Sequence, residues 1–242
     1  MLKLSIVIPA FNEEKLLGRC LAAVAEAASA LREFGCDHEV VVCDNHSTDR
    51  TSAIAAAAGA KVVFEPVNQI GRARNTGATS ATGDWLLFLD ADSFPSPALF
   101  ADLAEAMTSG RYLGGGANVV LEGHRGRAVF VARLWNVLSR LMHWAPGGFL
   151  FCEAGAFREL GGFNLDLFVS EEIDLSQRMK RLARARGKRL IVLHRHPLPT
   201  SPRKLHLYSR AEHWEYTKRF LRHPFSAKRS ADACPLWYDG RR

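Results

Sequence analysis

The chain has 242 residues, 48% of them hydrophobic, enough for one large α/β domain or two small ones and too apolar for a disordered segment. No stretch approaches the roughly 20 uncharged apolar residues of a membrane span, and the five cysteines, odd in number and without zinc-site spacing, read as reduced core thiols and not a disulfide framework. The net charge of +7 is uneven: from Arg178 onward 18 Lys+Arg face 4 Asp+Glu, a local +14 that leaves residues 1–177 at −7, so that third suits a phosphorylated ligand, anionic lipid, nucleic acid or an ordinary solvated surface.

Leu4 to Ile8 predicts a first buried strand. Its apolar run is too short for a signal peptide and ends in Pro9, which points to a cytoplasmic protein. The polar loop Pro9 to Glu14 follows, with Asn12 as a candidate helix cap and Glu13 and Glu14 in the first turn. Leu16, Leu17, Cys20, Leu21 and Val24 recur at helical spacing, so one helix is expected to reach about Phe34, where Gly35 stops it. Glu39 to Cys43 is a second strand, Asp44 to Asp49 a polar loop, Ser52 to Ala58 a short helix and Lys61 to Glu65 a third strand. Residues 71–82 predict a helix carrying Arg72, Arg74 and Asn75. Trp85 to Leu89 is a fourth, fully buried strand that runs straight into Asp90-Ala91-Asp92-Ser93.

Strands alternating with helical patterns argue for a parallel sheet with helices on both faces. In such sheets ligands bind beyond the carboxyl ends of the strands, and the loops at 9–14, 44–49 and 90–93 all lie there. Neither Gly-x-Gly-x-x-Gly nor Gly-x-x-x-x-Gly-Lys-Ser/Thr follows the first strand, so phosphates would be met by a metal or by basic side chains. Asp90 and Asp92, alternate residues leaving a strand, offer hard oxygens on one face suited to Mg²⁺ or Mn²⁺. Taken alone, they read equally as a solvated Asp-rich turn before Pro95 and Pro97.

In the second half, residues 110–125 look irregular around Gly114-Gly115-Gly116, with a strand only at Ala117 to Leu121. Arg127 to Trp144 has Val131, Leu134, Trp135, Leu138, Leu141 and Met142 at helical intervals. Such a helix packs its apolar side on the sheet; a membrane surface is the other place for it. Pro146-Gly147-Gly148 ends it. Asn164 to Ser170 reads as a loop, with Ser170 capping a helix that opens Glu171-Glu172-Ile173-Asp174, and Leu190 to Leu193 as the last strand. His194 and His196 follow, imidazoles of a kind that can ligate a metal. Leu205 to Arg242 reads as one helix and a basic tail.

Ile6-Val7-Ile8-Pro9-Ala10-Phe11-Asn12-Glu13-Glu14, Val41-Val42-Cys43-Asp44-Asn45-His46-Ser47-Thr48-Asp49, Ala73-Arg74-Asn75-Thr76-Gly77 and Gly83 to Ser93 resemble, in order, the signatures of family 2 nucleotide-sugar glycosyltransferases, which have the GT-A fold. The resemblance covers residues 4–100 closely and resumes at Ala154 to Phe163 and Glu171 to Arg178. It implies an α/β fold of GT-A type, with a mostly parallel central sheet and a Rossmann-like half. Residues 1–109 would form the donor half, 110–204 the acceptor and catalytic half, and 205–242 the C-terminal helix and tail.

The resemblance also implies roles. Pro9, Ala10, Phe11, Glu13 and Asp44 would hold base and ribose; Arg74, with Arg72 as a weaker candidate, would lie near base or phosphates, the structural alternative for Arg74 being a pair with Asp44 or Asp84. Asp90, Ala91 and Asp92 match an Asp-x-Asp signature whose last aspartate binds the metal; Asp92, Asp90 and His194 are the candidate ligands of Mn²⁺ or Mg²⁺, and Arg203 would meet the diphosphate. Glu172 stands where inverting members place an aspartate general base, with Glu171 and Asp174 as neighbours that could carry that role. The processive subgroup's Gln-x-x-Arg-Trp pattern is absent, which favours transfer of a single sugar.

The expected activity is therefore inverting, metal-dependent transfer from a UDP- or GDP-linked sugar to an acceptor hydroxyl or polyprenyl phosphate. A catalytically impaired nucleotide-sugar-binding protein is the alternative, raised by the Asp-to-Glu departure at Glu172. Peripheral contact with the inner face of a membrane is expected to accompany a lipid-linked acceptor. Nucleic-acid binding has no supporting motif.

Overall fold

Leu2–Ala10, the first strand (β1), is buried along nearly all its length, and the architecture of this computed structural model is built outward from it. The structure describes residues 1–123, 127–142, 144–145, 147–203, 207, 212 and 218, with backbone alone at 127–133 and 135. β2 (Cys36–Asp44) and β4 (Trp85–Leu89) flank β1 in parallel, and β3 (Lys61–Phe64) lies outside β2. β6 (Phe149–Glu153) runs antiparallel to both β4 and β5 (Tyr112–Leu121), and β7 (Arg189–Thr200) runs parallel to β5 at the far edge. The seven strands lie in the order β3-β2-β1-β4-β6-β5-β7. This is the mixed but mostly parallel sheet of a GT-A type α/β fold.

The period-2 geometry of β4 divides its side chains between two cores. Leu87 and Leu89 join Ile6, Ile8, Phe149 and Phe151 beneath α1 (Leu17–Ala27), α2 (Ser29–Glu33) and α5 (Pro97–Thr108). Leu86 and Phe88 join Val7, Phe157, Phe163, Leu175 and Met179 on the opposite face, beneath α7 (Ala154–Glu159) and α8 (Glu171–Ala185). Phe88 packs between Phe157 and Phe163 at ring-centroid distances of 5.0 and 4.9 Å. With both faces covered, β4 is apolar at every position. Its end is therefore a fixed platform for Asp90.

Three local expectations are corrected. Asn12 does not cap a helix: α1 begins only at Leu17, and Asn12 sits at φ 54° with its side chain turned to the second loop. The helix expected to reach Phe34 is broken at Ala28, where Ser29 Oγ donates to Glu26 O at 2.7 Å and competes with the helical ladder. Gly114-Gly115-Gly116 pairs as strand within β5, between two register shifts. A Cβ on Gly115 would lie 1.8 Å from Ile191 O, and one on Gly114 would lie 2.5 Å from Met179 Cε, so glycine marks close approach of β7 and α8. The expected C-terminal helix and basic tail at 205–242 falls outside the described residues except at 207, 212 and 218.

Candidate active site

The first two loops beyond the sheet are laced together. Ala10 O accepts from Asn45 N at 2.8 Å; Asn12 N donates to Ser47 Oγ and Asn12 Oδ1 accepts from Thr48 N. Glu13 N donates to Thr51 Oγ1 at 2.8 Å, and Asp44 Oδ1 accepts from Ser47 N at 2.9 Å. These bonds satisfy loop backbone that would otherwise be buried without partners. They gather Pro9, Ala10, Phe11, Glu13 and Asp44 at one edge. Asn45 extends the lacing, its side-chain amide donating to Val67 O at 2.6 Å beyond β3.

Arg74 is the centre of the site. It lies on α4 (Ile70–Thr79) and is 2% exposed. Its Nη1 donates to Glu171 Oε1 at 2.6 Å, and its Nη2 donates to Asp90 Oδ1 at 3.0 Å and to Gly147 O at 2.9 Å. The ring of Phe163 lies 5.2 Å from its Cζ. The guanidinium fork thus joins the end of β4, the entry to β6 and the start of α8. The pairing with Asp44 or Asp84 expected as its structural alternative is not what forms: Asp84 accepts from Lys3 N. Arg72 turns aside to donate to Gln69 Oε1 at 2.9 Å.

Glu171 and Glu172 open α8. Ser170 occupies the cap position at φ 65° with no side-chain cap bond, a correction to the cap expected there; its carbonyl accepts from Ile173 N and Asp174 N instead. A non-glycine residue in this left-handed region is uncommon and costs energy that its surroundings must offset. Glu171 is buried and held by Arg74, whereas Glu172 is partly exposed. Burial raises both carboxyl groups, the charge of Glu172 adds to the rise of Glu171, and Arg74 opposes it in each. The two titrate as a pair. Asp174 is engaged elsewhere, accepting from Arg178 Nε at 2.8 Å, while Arg178 also donates to Leu160 O and Gly162 O.

Gly147 and Gly148, legible in sequence only as a helix stop, form the floor between these acids. A Cβ on Gly147 would lie 3.5 Å from Arg74 Nη2 and 3.6 Å from Glu172 Cδ; one on Gly148 would lie 3.6 Å from Asp90 Oδ2. Two further residues carried no expected role. Gln69 Nε2 donates to Leu165 O and Leu167 O, and the Asn75 amide exchanges bonds with Phe163 N and O. Both tie α4 to the loop that precedes α8. A polar residue at the edge of a helix gives no sequence signal of a partner some 90 positions away.

The end of β7 is pinned to the Asp-x-Asp loop. Asp92 O accepts from Ser201 N at 2.9 Å, and Ser93 Oγ lies 3.1 Å from Thr200 Oγ1. This brings Arg203 back to the first loop, where its Nη2 donates to Glu13 Oε1 at 2.7 Å; its Nε and Nη1 are buried with no hydrogen-bond partner. Asp92 is buried, Ala91 is buried beside it, and Asp90 spends one oxygen on Arg74. Among the described residues no group of three or more His, Cys, Asp and Glu converges to hold a metal ion. His194 lies in an exposed bulge near Val192 O, lining a cavity with Glu105 and Arg111 to which neither Asp90 nor Asp92 contributes, and His196 meets Asp102 at 3.1 Å. The donor set fits a divalent ion only as a shared site, with ligand phosphate oxygens completing the coordination.

A model of the family described as glycosyl transferase family 2 matches residues 5–144. The chain belongs to glycosyl transferase family 2. The uncharacterised glycosyltransferase Rv0539 of Mycobacterium tuberculosis is 39% identical over 88 residues, 36% of this chain and 36% of the relative. EpsJ of Bacillus subtilis, also an uncharacterised glycosyltransferase, is 26% identical over 200 residues, 69% of this chain and 56% of the relative. The chain therefore spans about a third to a half of the length of these relatives. Among solved structures, Staphylococcus aureus TarS in complex with UDP-GlcNAc superposes with a TM-score of 0.66 at 19% identity, covering 99% of this chain and 79% of that one. The mannosyltransferase PcManGT of Pyrobaculum calidifontis, in complex with GDP-Man and Mn²⁺, gives a TM-score of 0.62 at 20% identity, covering 98% and 67%. At such identities the two structures establish the shared GT-A fold.

Proposed function

We propose that the chain transfers a single sugar, with inversion, from a UDP- or GDP-linked donor to an acceptor hydroxyl or polyprenyl phosphate, with help from Mn²⁺ or Mg²⁺. The observation that carries this reading is the Arg74 clamp, which sets the Asp-x-Asp loop and the Glu171-Glu172 helix start against one floor at Gly147. The complexes of TarS with UDP-GlcNAc and of PcManGT with GDP-Man and Mn²⁺ support the donor class and the metal.

In this reading residues 1–109 bind the donor. Pro9, Ala10, Phe11 and Asp44 receive base and ribose, and Glu13 orients Arg203 so that its two unpartnered nitrogens reach the diphosphate. Asp92 would hold the divalent ion, which would supply charge to offset that building on the leaving diphosphate. Asp90 acts chiefly through Arg74. Residues 110–204 receive the acceptor. The acceptor oxygen forms a bond to the anomeric carbon as the bond to the diphosphate breaks, and that bond's electron pair leaves on the phosphate oxygen. Glu172 takes the hydroxyl proton. Glu171, committed to Arg74, positions it. A phosphate acceptor would need no such base, so the demand on Glu172 separates the two acceptor classes.

The test is a turnover screen of UDP- and GDP-sugars with and without Mn²⁺, repeated with Asp92→Asn and Glu172→Gln. Donor binding without turnover in the unaltered chain would favour the binding-protein alternative.

A further inference from the structure

We infer that the outward face of α6 (Arg127–Met142) is a docking surface for an anionic lipid bilayer. Five apolar side chains of the helix turn outward. Leu134, Val137, Leu138, Leu141 and Met142, spaced i, i+3, i+4, i+7 and i+8, form one exposed stripe, with Leu134 at 60% and Leu141 at 71% exposure. Among the described side chains, those that bond to the rest of the protein are polar. Asn136 accepts from Val119 N at 3.0 Å and donates to Val119 O at 2.8 Å, and the fully buried Ser139 donates to Trp144 O. A contiguous apolar stripe left in water marks an interaction site.

The surrounding charge selects the occupant. From Gly123 to Cys152 the chain has no Asp or Glu, and Arg125, Arg127, Arg133 and Arg140 fall within that stretch. Lys180 Nζ donates to Met142 O at 3.2 Å, which adds α8 to the same basic border, with the exposed Arg184 one turn further on. Exposed leucines with Arg140 and Lys180 beside them, in a stretch of sequence free of acids, match an anionic headgroup layer above acyl chains. A second copy of the chain docked face to face would oppose these like charges. Among the described residues no helix is long and apolar enough to cross a membrane, so the contact is peripheral. The chain leaving α6 at Met142 reaches Gly147, beside Arg74 and Glu172, within five residues. Bilayer docking would thus put the acceptor side next to lipid. That last link rests on the transfer reading; the surface itself does not.

The experiment is co-sedimentation of the full chain with phosphatidylcholine vesicles containing or lacking phosphatidylglycerol, at low and high salt. Binding is expected only with phosphatidylglycerol, weakening with salt, and falling on the order of tenfold or more in Leu134→Glu/Leu141→Glu. Arg140→Glu should also weaken it, with circular dichroism and the thermal midpoint of each variant unchanged. Absence of phosphatidylglycerol-dependent binding would overturn the inference, as would a double variant that binds like the unaltered chain. So would self-association abolished by the double variant without vesicle binding. Donor turnover measured without vesicles tests the transfer reading separately.

Discussion

Arg74 and Glu171, 97 residues apart in the chain, meet at 2.6 Å with both side chains nearly out of water. Removing two charges from water costs several kcal/mol per ion, so such a pair persists only with excellent geometry and further hydrogen bonds. Asp90 and Gly147 O supply those bonds. The contribution of the pair is positional: it fixes where α8 begins relative to where β4 ends.

Arg74→Ala should therefore cost about 3–5 kcal/mol, because it strands Glu171 and Asp90 in a buried setting. Arg74→Met combined with Glu171→Leu should recover most of that loss in urea denaturation. Turnover should stay low in the double variant, since Glu172 and Asp90 lose their shared reference. Recovery of both stability and turnover would show that the clamp has no positioning role.

Glu172→Gln should lower kcat by about 10²–10⁴ for a hydroxyl acceptor, the usual share of a positioned proton acceptor, with donor affinity unchanged in equilibrium binding. Asp174→Asn loses only a partly exposed pair with Arg178. It should cost about 0.3–0.5 kcal/mol and leave kcat near the original value.

The pH dependence follows from the same acids. Glu171 and Glu172 both lie above the ordinary glutamate value, through burial first. The proton acceptor works only when deprotonated, so kcat should fall as pH drops through a range raised above that of an ordinary glutamate. Arg74 pulls both groups down. Its replacement by Met should therefore move the acidic limb of the kcat profile upward.

Away from the site, Glu39 on β2 accepts from Ser5 Oγ, Thr82 N and Thr82 Oγ1 and pairs with Lys3, joining β2 to β1 and to the turn before β4. Burial works to raise its carboxyl, but these partners outweigh burial and hold it at about 2. A depressed carboxylate stabilises the fold above its unfolded value, and that contribution is lost as pH falls from about 4.3 through the folded value. Glu39→Gln should cost about 1–3 kcal/mol at neutral pH, and its stability should change less than that of the unaltered chain between neutrality and acid.

Much of residues 1–109 was legible because the signals there are local. The uninterrupted apolar run of β4, the polar loops after β1 and β2 and the glycine stops each depend on a few adjacent residues. The sequence pattern failed where distant partners decided the outcome. Gly114 to Gly116 looked irregular because nothing local shows that β7 and α8 crowd them. The spacing of Leu134, Leu138 and Leu141 correctly indicated a helix but did not show that these three side chains stay exposed while Asn136 and Ser139 bond to the rest of the protein. Among the candidate site residues, the acids and Arg74 stood out by chemistry. Their division of labour, with Glu171 on Arg74 and Asp174 on Arg178, exists only in three dimensions.

The central claim is most directly tested by measuring nucleotide diphosphate release from UDP- and GDP-sugars with Mn²⁺, with a chelator, and with Asp92→Asn. The account predicts turnover of at least one donor in Mn²⁺ that is lost with the chelator and in Asp92→Asn, while the variant remains folded. Undiminished turnover in Asp92→Asn, or no metal-dependent binding or turnover of any donor, would contradict it.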